Sequence, residues 1–185
     1  MTLFGDGLEA AVQKAFTRPA PKSAPAQMRY LVKQLKTTKA VAQMLRVSQR
    51  TVERYVKDQI KKPRADLAAR LEREVKKRWQ PQIRAKAKER AATTGGIVID
   101  TRARIGYTAP VGSTDDARIR HLTVALPPQY AARLFDAQQA GASDQQLQQI
   151  AAEGLKEVYF QDGGRRAGSL EEVRFTDIEH IEFDL

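Results

Sequence analysis

The sequence predicts a mixed fold: an all-α helix-turn-helix N-terminal domain over residues 1–94, then a smaller α+β C-terminal domain over residues 95–185. Three observations carry that prediction. The first is charge. Residues 1–92 hold 23 Lys+Arg against 8 Asp+Glu, a net of +15, while residues 93–185 hold 9 against 14, a net of −5. A charge that served only solubility would be interspersed, whereas a segregated one marks a polyanion-binding half joined to a half of different purpose. The second is periodicity, helical before residue 93 and closer to two beyond it. The third is Thr93-Thr94-Gly95-Gly96, a break in composition that sets the expected boundary.

The elements follow in order. Leu8 to Phe16 reads as a short amphipathic helix, and the alternating prolines of residues 18–25 predict extended chain after it. Helical spacing resumes at Met28 with Leu31, Val32 and Leu35 on one face. Residues 38–57 form the helix-turn-helix considered below. Pro63 then opens a long basic helix with Leu67, Leu71, Val75, Trp79 and Ile83 four residues apart, which Pro81 must kink or interrupt. Beyond the boundary, 97–99, 104–108 and 119–125 are predicted strands. In the last, Leu122, Val124 and Leu126 alternate with His121, Thr123 and Ala125. Pro127-Pro128 starts a helix that Gly141 stops, and Ser143 caps another running through Tyr159. Val173 to Phe183 supplies a final strand or two.

Composition excludes several function classes. The chain has no cysteine, so disulfide frameworks, thiolate metal sites and cysteine nucleophiles are ruled out together. His121 and His180 alone make no histidine-rich metal centre. Residues 1–11 contain Asp6, Glu9 and no long apolar run, so no signal peptide is expected, and no stretch has the roughly 20 apolar residues of a membrane span. A cytoplasmic or nucleoid-bound protein with no membrane partner is expected.

The segment Thr38–Lys57 meets the physical demands of a helix-turn-helix. Two short helices that cross closely need a small residue, supplied by Ala42. Leu45 and Val47 bridge the turn, Val52 and Val56 anchor the second helix, and Ser48 caps its N-terminus. Gln49, Arg50, Thr51 and Arg54 then lie exposed near its start, where side chains reach base edges in the major groove. Lys57, Lys61, Lys62 and the basic helix behind them are expected to hold phosphates. Arg46 stands where glycine is common, which predicts a wider turn than average.

Other constellations are weaker. Tyr107, Tyr130 and Tyr159 raise the possibility of a tyrosine nucleophile, but the histidine or Arg/His set such an enzyme needs is missing. Tyr130, Tyr159 and Trp79 lie on apolar helical faces and read as packing residues. Gly95-Gly96 lacks the Lys-Ser/Thr of a phosphate loop.

Between two predicted strands, residues 108–117 include Gly112-Ser113-Thr114-Asp115-Asp116, the composition of an exposed loop. With the 38–57 motif, the basic helix after it and Leu122-Thr123-Val124-Ala125-Leu126-Pro127, this loop makes the chain resemble, over essentially its full length, the telomere terminal proteins of linear streptomycete replicons. Members of that family cap 5′ ends covalently and prime synthesis at recessed ends. The resemblance implies that Thr114 is the priming hydroxyl, with Ser113 the nearest competitor. It also implies three partners: a telomere-associated recruiting protein, a DNA polymerase that supplies the divalent metal, and telomeric DNA whose 3′ overhang serves as template. On this reading the chain has no cofactor of its own and is a nucleotide acceptor, not an enzyme. Asp115 and Asp116 are expected to imitate primer DNA in a basic polymerase cleft. The alternative is a transcription regulator whose second domain dimerises or binds a ligand, expected as a two-fold dimer on a palindrome.

Overall fold

The computed structural model describes residues 3–108, 118–161 and 172–185. The chain divides into two compact units, Thr17–Pro81 and Met1–Phe16 with Gln82–Leu185. The predicted split between helical and α+β parts is retained, with different bounds and with the α+β unit the larger, not the smaller, of the two. Residues 1–16 and 82–94, expected in the helical domain, fall inside the α+β unit, because the apolar face of the first helix and Ala91 belong to that unit's core.

The helical unit contains α2 (Ala24–Leu35), α3 (Thr38–Leu45), α4 (Gln49–Val56) and α5 (Ala65–Arg78). Pro25 stands in the first turn of α2, where its missing amide costs nothing, so the helix starts before Met28 and the extended chain is shorter than expected. Met28 and Leu31 of α2, Val41 and Leu45 of α3, Val52 and Tyr55 of α4, and Leu71 of α5 form one core. The sequence pointed to Val56 as the second anchor of α4. Tyr55 takes that role, and Val56 is half-buried at the core's margin. The long basic helix is broken in two: Gln80 has φ 46 and Pro81 starts α6 (Pro81–Arg90). Trp79 packs edge-on against Tyr30 at 4.9 Å and donates to the Arg18 carbonyl at 2.9 Å. The two ends of the unit meet, for Thr17 N donates to Gln80 Oε1 at 3.0 Å and Gln80 Nε2 to Thr17 Oγ1 at 3.1 Å.

The α+β unit is built on three antiparallel strands in the order β2-β1-β3: β1 (Ile97–Thr108), β2 (Arg118–Leu126) and β3 (Glu172–Asp184). The predicted gap at residues 100–103 is filled, and β1 is one 12-residue strand. Alternate residues Ile97, Ile99, Ala103 and Ile105 are buried beside Leu122, Val124 and Leu126 of β2 and Phe175 and Phe183 of β3. Thr101 is also fully buried, its hydroxyl donating to the His180 carbonyl at 2.9 Å. Helices α1 (Leu3–Lys14), α7 (Pro128–Gln139) and α8 (Asp144–Leu155) pack on this face. Helix α1 starts five residues earlier than expected, with Phe4 buried against Phe175 and Phe183. Its first amides, of Phe4 and Gly5, donate to Asp144 Oδ1 at 2.9 and 3.0 Å, a cap contributed by another helix. Ser143 and Gln146 form the reciprocal capping box of α8. After Leu155 a π-helical turn, Lys156–Phe160, ends the element, and Tyr159 is 42% exposed instead of in the core. Tyr130 is buried as expected.

The other sheet face is mostly polar, with Ile119 exposed on it, and carries several ion pairs. The pairing of β3 with β1 slips twice, between Arg102 and Ala103 and between Ala103 and Arg104, leaving Glu179 and Asp177 as the extra residues of β3. Those two carboxylates pair with Arg102 at 2.9 Å and Arg104 at 3.3 Å. Asp100 takes the Thr123 hydroxyl at 2.5 Å and lies beside His121 and His180.

Candidate nucleic-acid interface

Helices α3 and α4 are joined by Arg46-Val47-Ser48. The turn is tight, not widened. Arg46 adopts the left-handed backbone, φ 53 and ψ 50, that glycine holds most easily, and Val47 N donates back to the Ala42 carbonyl at 2.9 Å. Ala42 is buried at this closure, as its size predicted. Ser48 Oγ accepts from Thr51 N at 3.1 Å, satisfying one orphan amide of α4, and bonds the Thr51 hydroxyl at 2.8 Å.

With Val52 and Tyr55 inward, the opposite side of α4 is left to polar residues. Ser48, Gln49, Arg50, Arg54 and Lys57 are exposed and Thr51 is half-buried. Arg50, Arg54 and Lys57 follow one another at the spacing of neighbours along a helix face. Lys61 and Lys62 are exposed in the irregular stretch between α4 and α5. Tyr55 secures that stretch, donating from its hydroxyl to the Lys62 carbonyl at 3.4 Å, and burial raises its phenol above the ordinary value despite the nearby Arg54 charge. At the end of α4, Arg29 donates to the Val56 carbonyl at 3.1 Å and to Asp58 at 2.8 Å.

The electrostatics of the unit are lopsided. Residues 17–81 hold 18 Lys+Arg against 5 Asp+Glu, a net of +13. Four of the five carboxylates face cations outside α4: Asp58 pairs with Arg29, Asp66 with Arg70, Glu72 with Lys76, and Glu74 with Arg73 and Arg78. The fifth, Glu53, accepts from Gln49. Among the described residues, no carboxylate pairs with Arg46, Arg50, Arg54, Lys57, Lys61 or Lys62. The mutual repulsion of such a group is relieved when a polyanion binds, so the surface is suited to phosphates.

Two polar residues at this surface, Thr38 and Glu53, escaped the sequence reading. The i,i+4 spacing of Gln49 and Glu53 hinted at their bond, but the contact between Thr38 and Gln49 depends on how α3 meets α4. Thr114, with Ser113, Asp115 and Asp116, lies between β1 and β2 and outside the described residues, as do the side chains of Tyr107 and Thr108. Among the described residues there is no group of three or more His, Asp or Glu suited to a metal, and no helix long and apolar enough to cross a membrane. In comparisons with known proteins, no family model, curated protein or solved structure matches the chain.

Proposed function

We propose that this chain is a terminal protein of a linear replicon, which grips duplex DNA through α3 and α4 and offers the Thr114 hydroxyl to a DNA polymerase as primer. The observation that carries the DNA-binding part is the row of unpaired cations on α4 and the stretch after it. Two short helices joined by a tight turn, the second capped by Ser48 and exposing Arg50 and Arg54, have the form of a helix-turn-helix. Such a pair sets its second helix in the major groove, with Lys57, Lys61 and Lys62 against phosphates.

The priming part is supported by the resemblance set out above. Thr114 Oγ attacks the α-phosphorus of a deoxynucleoside triphosphate. The new bond is Oγ–Pα, the α–β phosphoanhydride bond breaks, pyrophosphate leaves with the electron pair, and the hydroxyl proton passes to solvent. The polymerase's divalent ions activate the nucleophile and steady the leaving group, so the chain needs no general base or cofactor of its own. It acts as an acceptor, remains on the 5′ end, and resides with the nucleoid at replicon ends. Its partners are the polymerase, a telomere-associated recruiting protein and the 3′ overhang as template.

Incubation with telomeric DNA, host extract and labelled deoxynucleotides, followed by mass-spectrometric mapping, tests the whole reading. Label on the wild type and on Ser113→Ala but not on Thr114→Ala is expected. The double variant Asp115→Asn/Asp116→Asn should prime more slowly with DNA binding intact. No label in an extract that labels a known terminal protein would overturn priming and leave a transcription regulator, with a two-fold dimer on a palindromic site as its mark.

A further inference from the structure

The exposed side of α4 carries one carboxylate among its cations, and that carboxylate is held by a neutral partner. Gln49 Nε2 donates to Glu53 Oε1 at 2.9 Å and to Thr38 Oγ1 at 3.1 Å. Both hydrogens of the Gln49 amide are thereby used, and Glu53 keeps Oε2 unengaged among the described residues. Arg50 and Lys57 lie three residues before and four after Glu53, at pairing distance along a helix, yet it pairs with neither. A carboxylate on a phosphate-binding surface lowers affinity for every DNA sequence, so its positioned free oxygen is suited to selecting among sequences.

We infer that Glu53 is a specificity-determining residue that accepts a hydrogen bond from the exocyclic amine of a cytosine in the major groove, with Gln49 and Thr38 as its positioning residues. This rests on the DNA-binding reading above. Two bases present an amine there, cytosine through N4 and adenine through N6. Adenine sets the acceptor N7 beside its amine and repels a carboxylate, whereas cytosine presents only its donor. Guanine and thymine present acceptors at the same place and are rejected. Arg50 and Arg54, whose forks suit guanine O6 and N7, complete a preference for a run of G·C pairs. Gln49, which the sequence placed among the residues that reach base edges, has its two donor hydrogens committed and supports Glu53 instead.

The test is selection of bound duplexes from a random pool by the full-length protein, followed by sequencing. The wild type is expected to enrich cytosine at one position beside guanines. Glu53→Ala should lose that preference, with discrimination falling roughly ten-fold at that position alone, and should bind unselected duplex more tightly. Glu53→Gln, which gains a donor beside its acceptor, should shift the preference to adenine. Thr38→Val should blur the same position and Thr38→Ser restore it, a pattern that a merely structural threonine would not give. A wild-type site without the cytosine, or an unchanged site in Glu53→Ala, would overturn the inference while DNA binding stood. Failure of the wild type to retain any duplex would remove the DNA-binding reading itself.

Discussion

Arg46 shows how one residue can serve two demands that conflict. Its left-handed backbone, φ 53, is disfavoured for any side chain with a Cβ by about 1 kcal/mol. It is also one of the unpaired cations beside α4. Arg46→Gly is therefore expected to raise stability by about 0.5–1 kcal/mol in urea denaturation, while weakening duplex binding and lowering its salt slope by about one. Unchanged affinity would show that Arg46 touches no phosphate. Legibility at this scale depended on chemistry confined to neighbouring residues. The Ser48 cap and the small Ala42 could be read directly because a cap and a close crossing restrict residue type. The expected wide turn was wrong because the sequence showed the missing glycine but not the Val47-to-Ala42 bond that holds the turn closed. Tyr55 displaced Val56 because a phenol can bury its ring and still place its hydroxyl on Lys62.

Between elements, α1 and α6 are joined by a two-pronged ion pair, with Arg84 Nη1 and Nη2 on Glu9 Oε1 and Oε2 at 2.6 and 2.7 Å. Burial alone would raise the Glu9 carboxyl. Hydrogen bonds from Arg84 and Gln13, with the charges of Arg84 and Lys88, outweigh it and hold the group below its ordinary value of 4.5. A carboxyl depressed in the fold contributes stability that is full above its unfolded value and lost as pH falls through its folded one. Glu9→Gln should therefore cost about 2 kcal/mol at neutral pH. That difference should shrink as pH falls below 4.5, measured by thermal melts of both proteins across pH. Elements whose period was unbroken, such as α7 and β2, were legible in the sequence. Helix α1 was cut short because Gly5 and Gly7 weaken its helical signal and its cap comes from Asp144, far along the chain. The merger of 97–99 with 104–108 was hidden for a related reason. Asp100 and Arg102 look like loop residues until β3 supplies the Glu179 carboxylate that pairs with the arginine.

At the scale of the whole molecule, the helical unit is an insertion between Phe16 and Gln82. Its ends are fastened to each other by the Thr17–Gln80 hydrogen bonds, and among the described residues its core is built from its own side chains. A fragment spanning residues 17–81 is expected to fold alone, with helical circular dichroism and one cooperative transition, and to bind duplex DNA. A fragment that is unfolded under the same conditions would mean that the helices need the α+β unit. The nested arrangement was not legible, because charge and period follow the chain linearly while α1 crosses to the far end of the sequence. It also sets an order of events during synthesis. The helical unit has its complete core once residue 81 has emerged from the ribosome, but α1 must wait for β3, made about 160 residues later, before Phe4 meets Phe175 and Phe183. Until then the nascent chain carries a formed basic unit preceded by an amphipathic segment whose apolar face is unsheltered, the kind of segment that chaperones bind. The part proposed to hold DNA is thus ready first, and the part expected to carry the primer is finished last.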